Sequence, residues 1–138
     1  MDIFKEIKKL DFPFGKYVIV GSGPMAARGI REVHDIDIVV TPDLFDKLKK
    51  EGWEIKQWTY PGTEGRIYLQ NGIIEIYLGV NYGNFNPTTE ELIARANVIK
   101  NIPFATLEDI IQFKSAYNRE KHLKDIELIK EYLNNFKE

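Results

Sequence analysis

Hydrophobic positions recur along the chain with two spacings, one typical of helices and one typical of strands. Residues 17–20 form a compact apolar run that predicts a buried strand. Residues 35–40 predict a second strand, with a short helix over residues 25–30 between the two. An amphipathic helix is predicted over residues 2–10, where the apolar side chains share one face: Ile3, Phe4, Ile7 and Leu10. The N-terminal part of the chain therefore alternates helices with strands.

The middle of the chain contains one helix start and a group of strands. Thr41 followed by Pro42 is a favourable N-cap and first helical position, and it predicts a helix that ends near residue 52. Asn71-Gly72 is a favourable two-residue turn and predicts a hairpin. Three strands are predicted around it, over residues 53–60, 66–69 and 73–80.

The C-terminal third of the chain is predicted to be mainly helical. A capping box of Thr88 and Glu91 opens a helix through residue 97, and Thr106 is a further N-cap. The other elements are a short apolar piece over residues 98–104 and two helices, over Leu107–Tyr117 and residues 119–136. The whole order predicts a mixed α/β or α+β fold, with one sheet of four or five strands flanked by helices.

Length and composition limit the class of protein. The 138 residues suit a single domain spanning residues 1–138, and 43% hydrophobic residues are enough to fill its core. The absence of cysteine excludes disulfides, thiolate zinc sites and thiol nucleophiles. No apolar run approaches the roughly 20 residues needed to cross a bilayer, and the N-terminus is not a signal peptide. We therefore expect a cytoplasmic protein with no membrane partner.

The net charge of −2 gives no general attraction for nucleic acid. Binding to RNA or DNA would require a local basic patch. The two histidines, His34 and His122, each lack a second histidine at metal-ligand spacing, so surface or capping roles are expected for both. Aromatic residues at 58–60 and 82–85 suit either stacking on a ligand or packing in the core.

Two acids begin the second predicted strand. Side chains two positions apart on a strand project to the same side, so Asp35 and Asp37 should face one way. Ile36, Ile38 and Val40 should then face the core. Two neighbouring carboxylates repel each other, and oxygen-only ligands suit Mg²⁺ or Mn²⁺. The pair predicts a metal site.

An anion site is predicted just upstream of the acidic pair. Gly21-Ser22 follows the first strand and opens a helix, an arrangement that offers free amides, a favourable dipole and one small hydroxyl to a phosphate. A hydrophobic strand, Gly-Ser, a short helix and Asp-x-Asp on a strand together resemble the signature of the DNA polymerase β-like nucleotidyltransferase superfamily. Antibiotic nucleotidyltransferases and toxin–antitoxin enzymes belong to that superfamily.

The resemblance implies further site residues. A third carboxylate on a later central strand is expected, and Glu75 is the acid within the apolar run of residues 72–80. The C-terminal run is similar to small members of the superfamily at Lys114, Arg119, Lys121 and Asp125, and Arg31 precedes the acidic pair as an arginine does there. Lys114 and Lys121 are then expected to reach phosphate oxygens, while Asp125 holds the two helices together.

The activity implied is transfer of a nucleoside monophosphate from a nucleoside triphosphate, with ATP as the default, to an acceptor hydroxyl. Asp35, Asp37 and Glu75 would be the metal-binding and catalytic residues for Mg²⁺ or Mn²⁺. Gly21, Ser22 and Gly23 would hold the phosphates with Lys114 and Lys121. An aminoglycoside-like molecule, a protein hydroxyl and an RNA 3′ end all remain open as the acceptor.

Two alternatives compete with this hypothesis. Gly21, Gly23 and Ala26 fit the G-x-G-x-x-A pattern of dinucleotide-binding proteins. That pattern expects a long crossover helix and an acid at the end of the second strand. Here the crossover is short, and the two acids stand at the beginning of the second strand. The second alternative keeps the fold without the chemistry, as a nucleotide-binding or antitoxin-like regulatory module.

Overall fold

Six helices and seven strands lie within residues 1–135, the part of the chain that the computed structural model describes. The helices are α1 (Ile3–Leu10), α2 (Gly23–Ala27), α3 (Pro42–Lys50), α4 (Thr89–Ala94), α5 (Leu107–Tyr117) and α6 (Glu120–Asn135). The strands are β1 (Tyr17–Val20), β2 (Ile36–Val40), β3 (Glu54–Gln57), β4 (Ile67–Asn71), β5 (Ile74–Tyr77), β6 (Asn97–Ile99) and β7 (Ile102–Phe104). The end of the last predicted helix, at residue 136, lies outside the described residues.

All seven strands form one mixed sheet in the order β3-β4-β5-β2-β1-β7-β6. β1 runs antiparallel to β2 and parallel to β7, and β2 runs parallel to β5. The three remaining neighbouring pairs are antiparallel. The α+β class and the single central sheet are confirmed, but the sheet has more strands than the four or five predicted.

The additional strands come from the apolar piece at residues 98–104, which is a hairpin. β6 and β7 pair with Ile99 opposite Ile102, so Lys100 and Asn101 form a two-residue turn. Both turn residues have positive φ, 51° and 68°, as a type I′ turn requires. The turn contains no glycine, the usual signal for such a turn, and the prediction missed it for that reason.

Each face of the sheet packs against different helices. Ile36, Ile38 and Val40 of β2 are fully buried on the face covered by α1 and α3. Val39 of β2 lies on the other face, in a second core that includes Leu107 of α5. The predicted alternation is therefore confirmed for Ile36–Val40, and Asp37 shares the face of α4, α5 and α6, whereas Asp35 lies before the strand that was predicted to include it.

The link between β1 and β2 excludes the dinucleotide-binding alternative. The two strands are antiparallel, with Tyr17 opposite Val40 and Val20 opposite Asp37. A dinucleotide-binding unit instead requires parallel strands joined by a long crossover helix. The helix α2 between them is five residues long, so this connection is a short corner.

The β4–β5 hairpin sets the position of Glu75. Asn71 pairs with Ile74, so the turn is Gly72-Ile73, one residue later than the predicted Asn71-Gly72. Gly72 has a φ of 60°, which favours glycine at the first turn position.

None of the helices within residues 1–135 is long and apolar enough to span a membrane.

Candidate functional site

A cleft of about 550 Å³ lies on the sheet face that α5 and α6 cover. Its walls come from the β1–α2 turn, β2, β5 and the two C-terminal helices. Every predicted site residue except Gly23 lines it: Gly21, Ser22, Asp35, Asp37, Glu75, Lys114 and Lys121. Gly23 instead packs against the side chain of Ile19, so its predicted place in the site is not supported.

The acidic residues enter the cleft from two neighbouring parallel strands. Asp37 of β2 is directly opposite Glu75 of β5, and residues in register on adjacent strands project to the same face. Asp35 lies just before β2 and is exposed at the edge of the cleft. The three carboxylates, called the acidic trio below, therefore line one cavity as predicted.

Gly21 brings the backbone of the β1–α2 turn against Asp37. A Cβ atom added at Gly21 would lie 2.5 Å from Oδ2 of Asp37, and Gly21 has a φ of 66°. Both the space and the backbone conformation therefore require glycine at this position. The result is direct contact between the glycine-serine turn and the acidic trio.

The acidic trio lacks a direct cationic partner among the described residues, whose ion pairs all lie elsewhere. Burial, followed by the nearby charges of Glu75 and Asp35, raises the pKa of Asp37 to about 8. Lys114 and Lys121 offset only part of this effect. The acidic trio is thus a local concentration of negative charge that a bound cation would neutralise.

A tyrosine hydroxyl fixes one oxygen of Glu75. Tyr77 donates a hydrogen bond of 2.7 Å to Oε1 of Glu75 from two residues along the same strand. Burial, the charge of Asp37 and this hydrogen bond raise the pKa of Tyr77, so its hydroxyl remains a donor. Oε2 of Glu75 makes no hydrogen bond to the described residues and is available to a ligand.

The donor set fits Mg²⁺ in chemistry but is not a preformed protein cage. Within residues 1–135, no group of three or more His, Cys, Asp or Glu side chains is arranged to hold a metal ion. Mg²⁺ usually binds one or two carboxylates and completes its shell with water and substrate phosphates. Asp37 and Glu75, with Asp35 nearby, supply carboxylate oxygens of this kind.

A buried ion-pair network connects the C-terminal helices to the glycine-serine turn. Nζ of Lys114 on α5 donates to Asp125 on α6 at 3.0 Å and to Oγ of Ser22 at 3.1 Å. Arg31 donates to both carboxylate oxygens of Asp125, at 2.9 and 3.0 Å. Although burial opposes it, hydrogen bonding to Lys114 and Arg31 lowers the pKa of Asp125. The predicted role of Asp125 in holding the helix pair together is confirmed.

The network changes the expected role of Lys114. Its side chain is 2% exposed and two of its donors are used within the protein, so it positions Ser22. Lys121 is exposed, lines the cleft and forms no ion pair with the described residues. Lys121 is therefore the better placed of the two lysines to contact an anionic ligand.

The glycine-serine turn provides hydroxyl and amide groups rather than a strong helix dipole. Ser22 is the N-cap of α2 but makes no side-chain capping bond. Its Oγ accepts from Lys114, which leaves its hydroxyl proton free to donate. Because α2 has only five residues, its dipole adds little.

Aromatic side chains form the wall of the cleft opposite the turn. Tyr68 stacks on Tyr77 with ring centroids 5.1 Å apart, and Trp58 meets Tyr77 edge-on at 5.4 Å. Tyr60 and Tyr117 also line the cleft, whereas Tyr82, which stacks on Tyr117, does not. The loop at residues 58–60 therefore faces the cleft, and the loop at residues 82–85 does not.

His122 is a cleft residue that the sequence analysis did not identify. It was expected on the surface or at a cap, but it lines the cleft and its Nδ1 is buried without a hydrogen-bond partner among the described residues. Its position three residues before Asp125 on α6 places both on one helix face. The three-residue spacing of His122 and Asp125 was the sequence signal that could have identified His122 as a cleft residue.

No protein-family model matches the chain, and no curated protein sequence is significantly similar to it. The function is therefore inferred from the residues of the cleft.

Proposed function

We propose that the protein is a metal-dependent nucleotidyltransferase. It would transfer a nucleoside monophosphate from a nucleoside triphosphate, with ATP as the default, to an acceptor hydroxyl and release pyrophosphate. The observation that carries this proposal is the register of Asp37 opposite Glu75, directly against the glycine-serine turn. Metal-binding oxygens and a phosphate-binding turn in one cleft are the two requirements of this chemistry.

Mg²⁺, or Mn²⁺ in its place, is the proposed cofactor. Asp35 and Asp37 would hold it, with Glu75 as the third carboxylate. When bound, the cation neutralises charge on the reacting phosphate and lowers the pKa of the acceptor hydroxyl. The raised pKa of Asp37 supports this assignment, because the uncompensated acidic trio favours cation binding.

The phosphates of the nucleotide are placed at the glycine-serine turn. The backbone amides beside Gly21 and the hydroxyl of Ser22 donate hydrogen bonds to phosphate oxygens in this proposal. Lys121 supplies a mobile positive charge from α6. Lys114 keeps the Ser22 hydroxyl oriented toward the cleft through its hydrogen bond to Oγ.

The protein residues have separate roles in the transfer step. The acceptor oxygen forms a bond to the α-phosphorus while the bond to the bridging oxygen breaks and pyrophosphate leaves. Glu75 accepts the proton of the acceptor hydroxyl. Tyr77, by donating to Oε1, directs the free Oε2 of Glu75 into the cleft for this task.

The acceptor lies on the aromatic side of the cleft in this proposal, because the proposed base Glu75 is hydrogen-bonded to Tyr77 and Tyr68 stacks on Tyr77. A small molecule, a protein hydroxyl and an RNA 3′ end remain the candidate classes. The net charge of −2 weighs against a long RNA. We propose a cytoplasmic reaction.

A nucleotide-binding module without transfer activity is the second candidate function. The specific observation in its favour is that the acidic trio is not arranged as a ready-made metal site within the described residues. Such a module would bind Mg²⁺ and nucleotide in the same cleft and transfer nothing. Saturable binding without transfer from any of the four nucleoside triphosphates would support this candidate.

The test is incubation of the protein with each of the four α-labelled nucleoside triphosphates, Mg²⁺ and cell extract. We expect label on one class of acceptor with the wild-type protein and none with Asp37→Asn. Asp46→Asn is the matched control, because Asp46 is exposed on α3, across the sheet from the cleft. Equal labelling by wild type and Asp37→Asn would contradict the proposal.

A further inference from the structure

One buried polar atom in the cleft has no partner within the protein. Among the side-chain nitrogens and oxygens of residues 1–135, Nδ1 of His122 is buried and makes no hydrogen bond. A buried polar group without a partner costs free energy, and such groups are rare in folded proteins. His122 lines the cleft, and its other ring nitrogen, Nε2, is not buried and makes no hydrogen bond to the described residues, so a bound ligand can contact the imidazole through Nε2.

The surroundings of His122 are aromatic on one side and cationic on the other. The rings of Phe113 and Tyr117 meet the imidazole edge-on, with centroids 6.2 and 6.4 Å away. Burial, followed by the charges of Lys114, Lys121 and Arg119, lowers the pKa of His122 to about 4. The imidazole is therefore uncharged at neutral pH and acts by hydrogen bonding.

His122 lies beside the proposed phosphate site. It precedes Asp125 by three residues on α6, which corresponds to about 4.5 Å along the helix axis. Asp125 contacts Lys114, and Lys114 contacts Ser22. A ligand with its phosphates at Ser22 therefore has its next chemical group within reach of His122.

We propose that His122 is a specificity-determining residue, whose Nε2 hydrogen-bonds the nucleoside part of the nucleotide, at a sugar hydroxyl or a base nitrogen. This inference rests on the proposed nucleotide-binding function and assigns a subsite within the same cleft. Lysine and arginine side chains already provide positive charge for the phosphates. A neutral imidazole beside two aromatic rings suits an uncharged, ring-shaped polar group instead.

The chain has two histidines, so the imidazole NMR spectrum separates His122 from His34 after one assignment variant, His122→Phe. The protein is titrated with Mg²⁺ and either the α,β-methylene analogues of the four nucleoside triphosphates or inorganic tripolyphosphate. We expect the His122 signal to shift with at least one nucleotide analogue and to stay that of a neutral imidazole. Tripolyphosphate should bind without shifting it. An equal shift with both ligands would show that His122 lies at the phosphates and would overturn the proposal.

Affinities of the variant give an independent readout. His122→Phe should weaken binding of the nucleotide analogue about tenfold and leave the affinity for tripolyphosphate unchanged. The melting temperature of the free variant should not fall, because the substitution removes an unsatisfied polar atom. The matched control is Leu123→Phe, which adds a ring at an exposed position of α6 outside the cleft and should change neither affinity.

The outcomes separate this inference from the proposed function. Unchanged nucleotide affinity in His122→Phe, or an equal loss for both ligands, would refute the nucleoside contact alone. Failure of the wild-type protein to bind any nucleotide or tripolyphosphate would refute the nucleotide-binding function. It would also refute the His122 contact, which depends on that function. Tenfold weaker nucleotide binding with intact tripolyphosphate binding would support both.

Discussion

Asp37 is the residue whose charge state most affects the cleft. Its pKa near 8 lies far above the ordinary value of 3.8, so between these values the folded protein holds a proton that the unfolded chain releases. Stability from this group is therefore fully present below about pH 4 and is lost as pH rises through 8. A bound cation offsets the cost of ionising Asp37 in the folded protein, because it favours the ionised form.

The variant Asp37→Asn tests this reasoning, because asparagine has the same shape and no charge. In metal-free buffer we expect it to be more stable than the wild type, by an amount on the order of 1–3 kcal/mol at pH 9 and much less at pH 4. Urea denaturation across that pH range measures the difference. Asp46→Asn should show no such pH-dependent gain, and a loss of stability in Asp37→Asn at pH 9 would contradict the account.

Gly21 is the residue that allows the turn to contact Asp37. Gly21→Ala should destabilise the protein by about 1–3 kcal/mol, because its Cβ would lie 2.5 Å from Oδ2 of Asp37 at a φ unfavourable for alanine. It should also weaken Mg²⁺-nucleotide binding. Gly15→Ala is the control, since Gly15 also has positive φ but its Cβ would meet nothing within 4 Å. Thermal unfolding and nucleotide titration of both variants measure the two losses. Equal losses in Gly21→Ala and Gly15→Ala would show that backbone strain alone, and not the contact with Asp37, causes them.

The sequence predicted the acidic trio but not the residues that act through distant contacts. The predicted strand placed Asp37 correctly, and Asp35, although it lies before β2, lines the same cleft. The family resemblance, together with an isolated acid in an apolar run, identified Glu75. The Tyr77 contact depends on side-chain geometry within β5, and the burial of His122 depends on how α5 packs on α6. Local spacing puts Tyr77 on the face of Glu75 and His122 on the face of Asp125, but it specifies neither the hydrogen bond nor the burial.

At the scale of elements, α5 and α6 are held together by a buried charge pair. The side chains of Lys114 and Asp125 are 2% and 6% exposed, and their contact joins both helices to Ser22. Removing one member leaves the other charge buried without its partner, which is usually more costly than removing both.

Asp125→Leu should therefore destabilise the protein by about 3–5 kcal/mol, and the double variant Lys114→Met/Asp125→Leu by less. Chemical denaturation of the single and double variants measures the coupling between the two residues. Glu127→Leu, an exposed position on the same helix, should change stability little. Additive losses in the double variant would show that the pair does not act as a unit.

Element boundaries were predicted best where a side-chain cap or a buried run marks them. β1 and α5 match the prediction, and Thr88 and Thr106 cap their helices as expected. The predicted strand over residues 53–60 is only Glu54–Gln57, because β3 is an edge strand with one neighbour. The parallel pairing of β2 with β5 joins residues far apart in sequence, and a local pattern cannot specify it.

For the whole molecule, the sheet order places the candidate site at the centre of the fold. β2 is the fourth of the seven strands, with β5 on one side and β1 on the other. Asp37, Glu75 and the glycine-serine turn thus belong to three adjacent central strands, a rigid support for a reacting group. The edge strands β3 and β6 contribute none of the acidic trio.

The most direct test of nucleotidyl transfer uses one nucleoside triphosphate labelled in two positions, with Mg²⁺ and the acceptor fraction found in extract. Our account predicts that label at the α-phosphorus appears on the acceptor and that label at the γ-phosphorus leaves as pyrophosphate. Both signals should disappear when Mg²⁺ is chelated or Asp37 is replaced by asparagine. Transfer of the γ-label to the acceptor, or transfer of the α-label that persists in Asp37→Asn, would contradict the account.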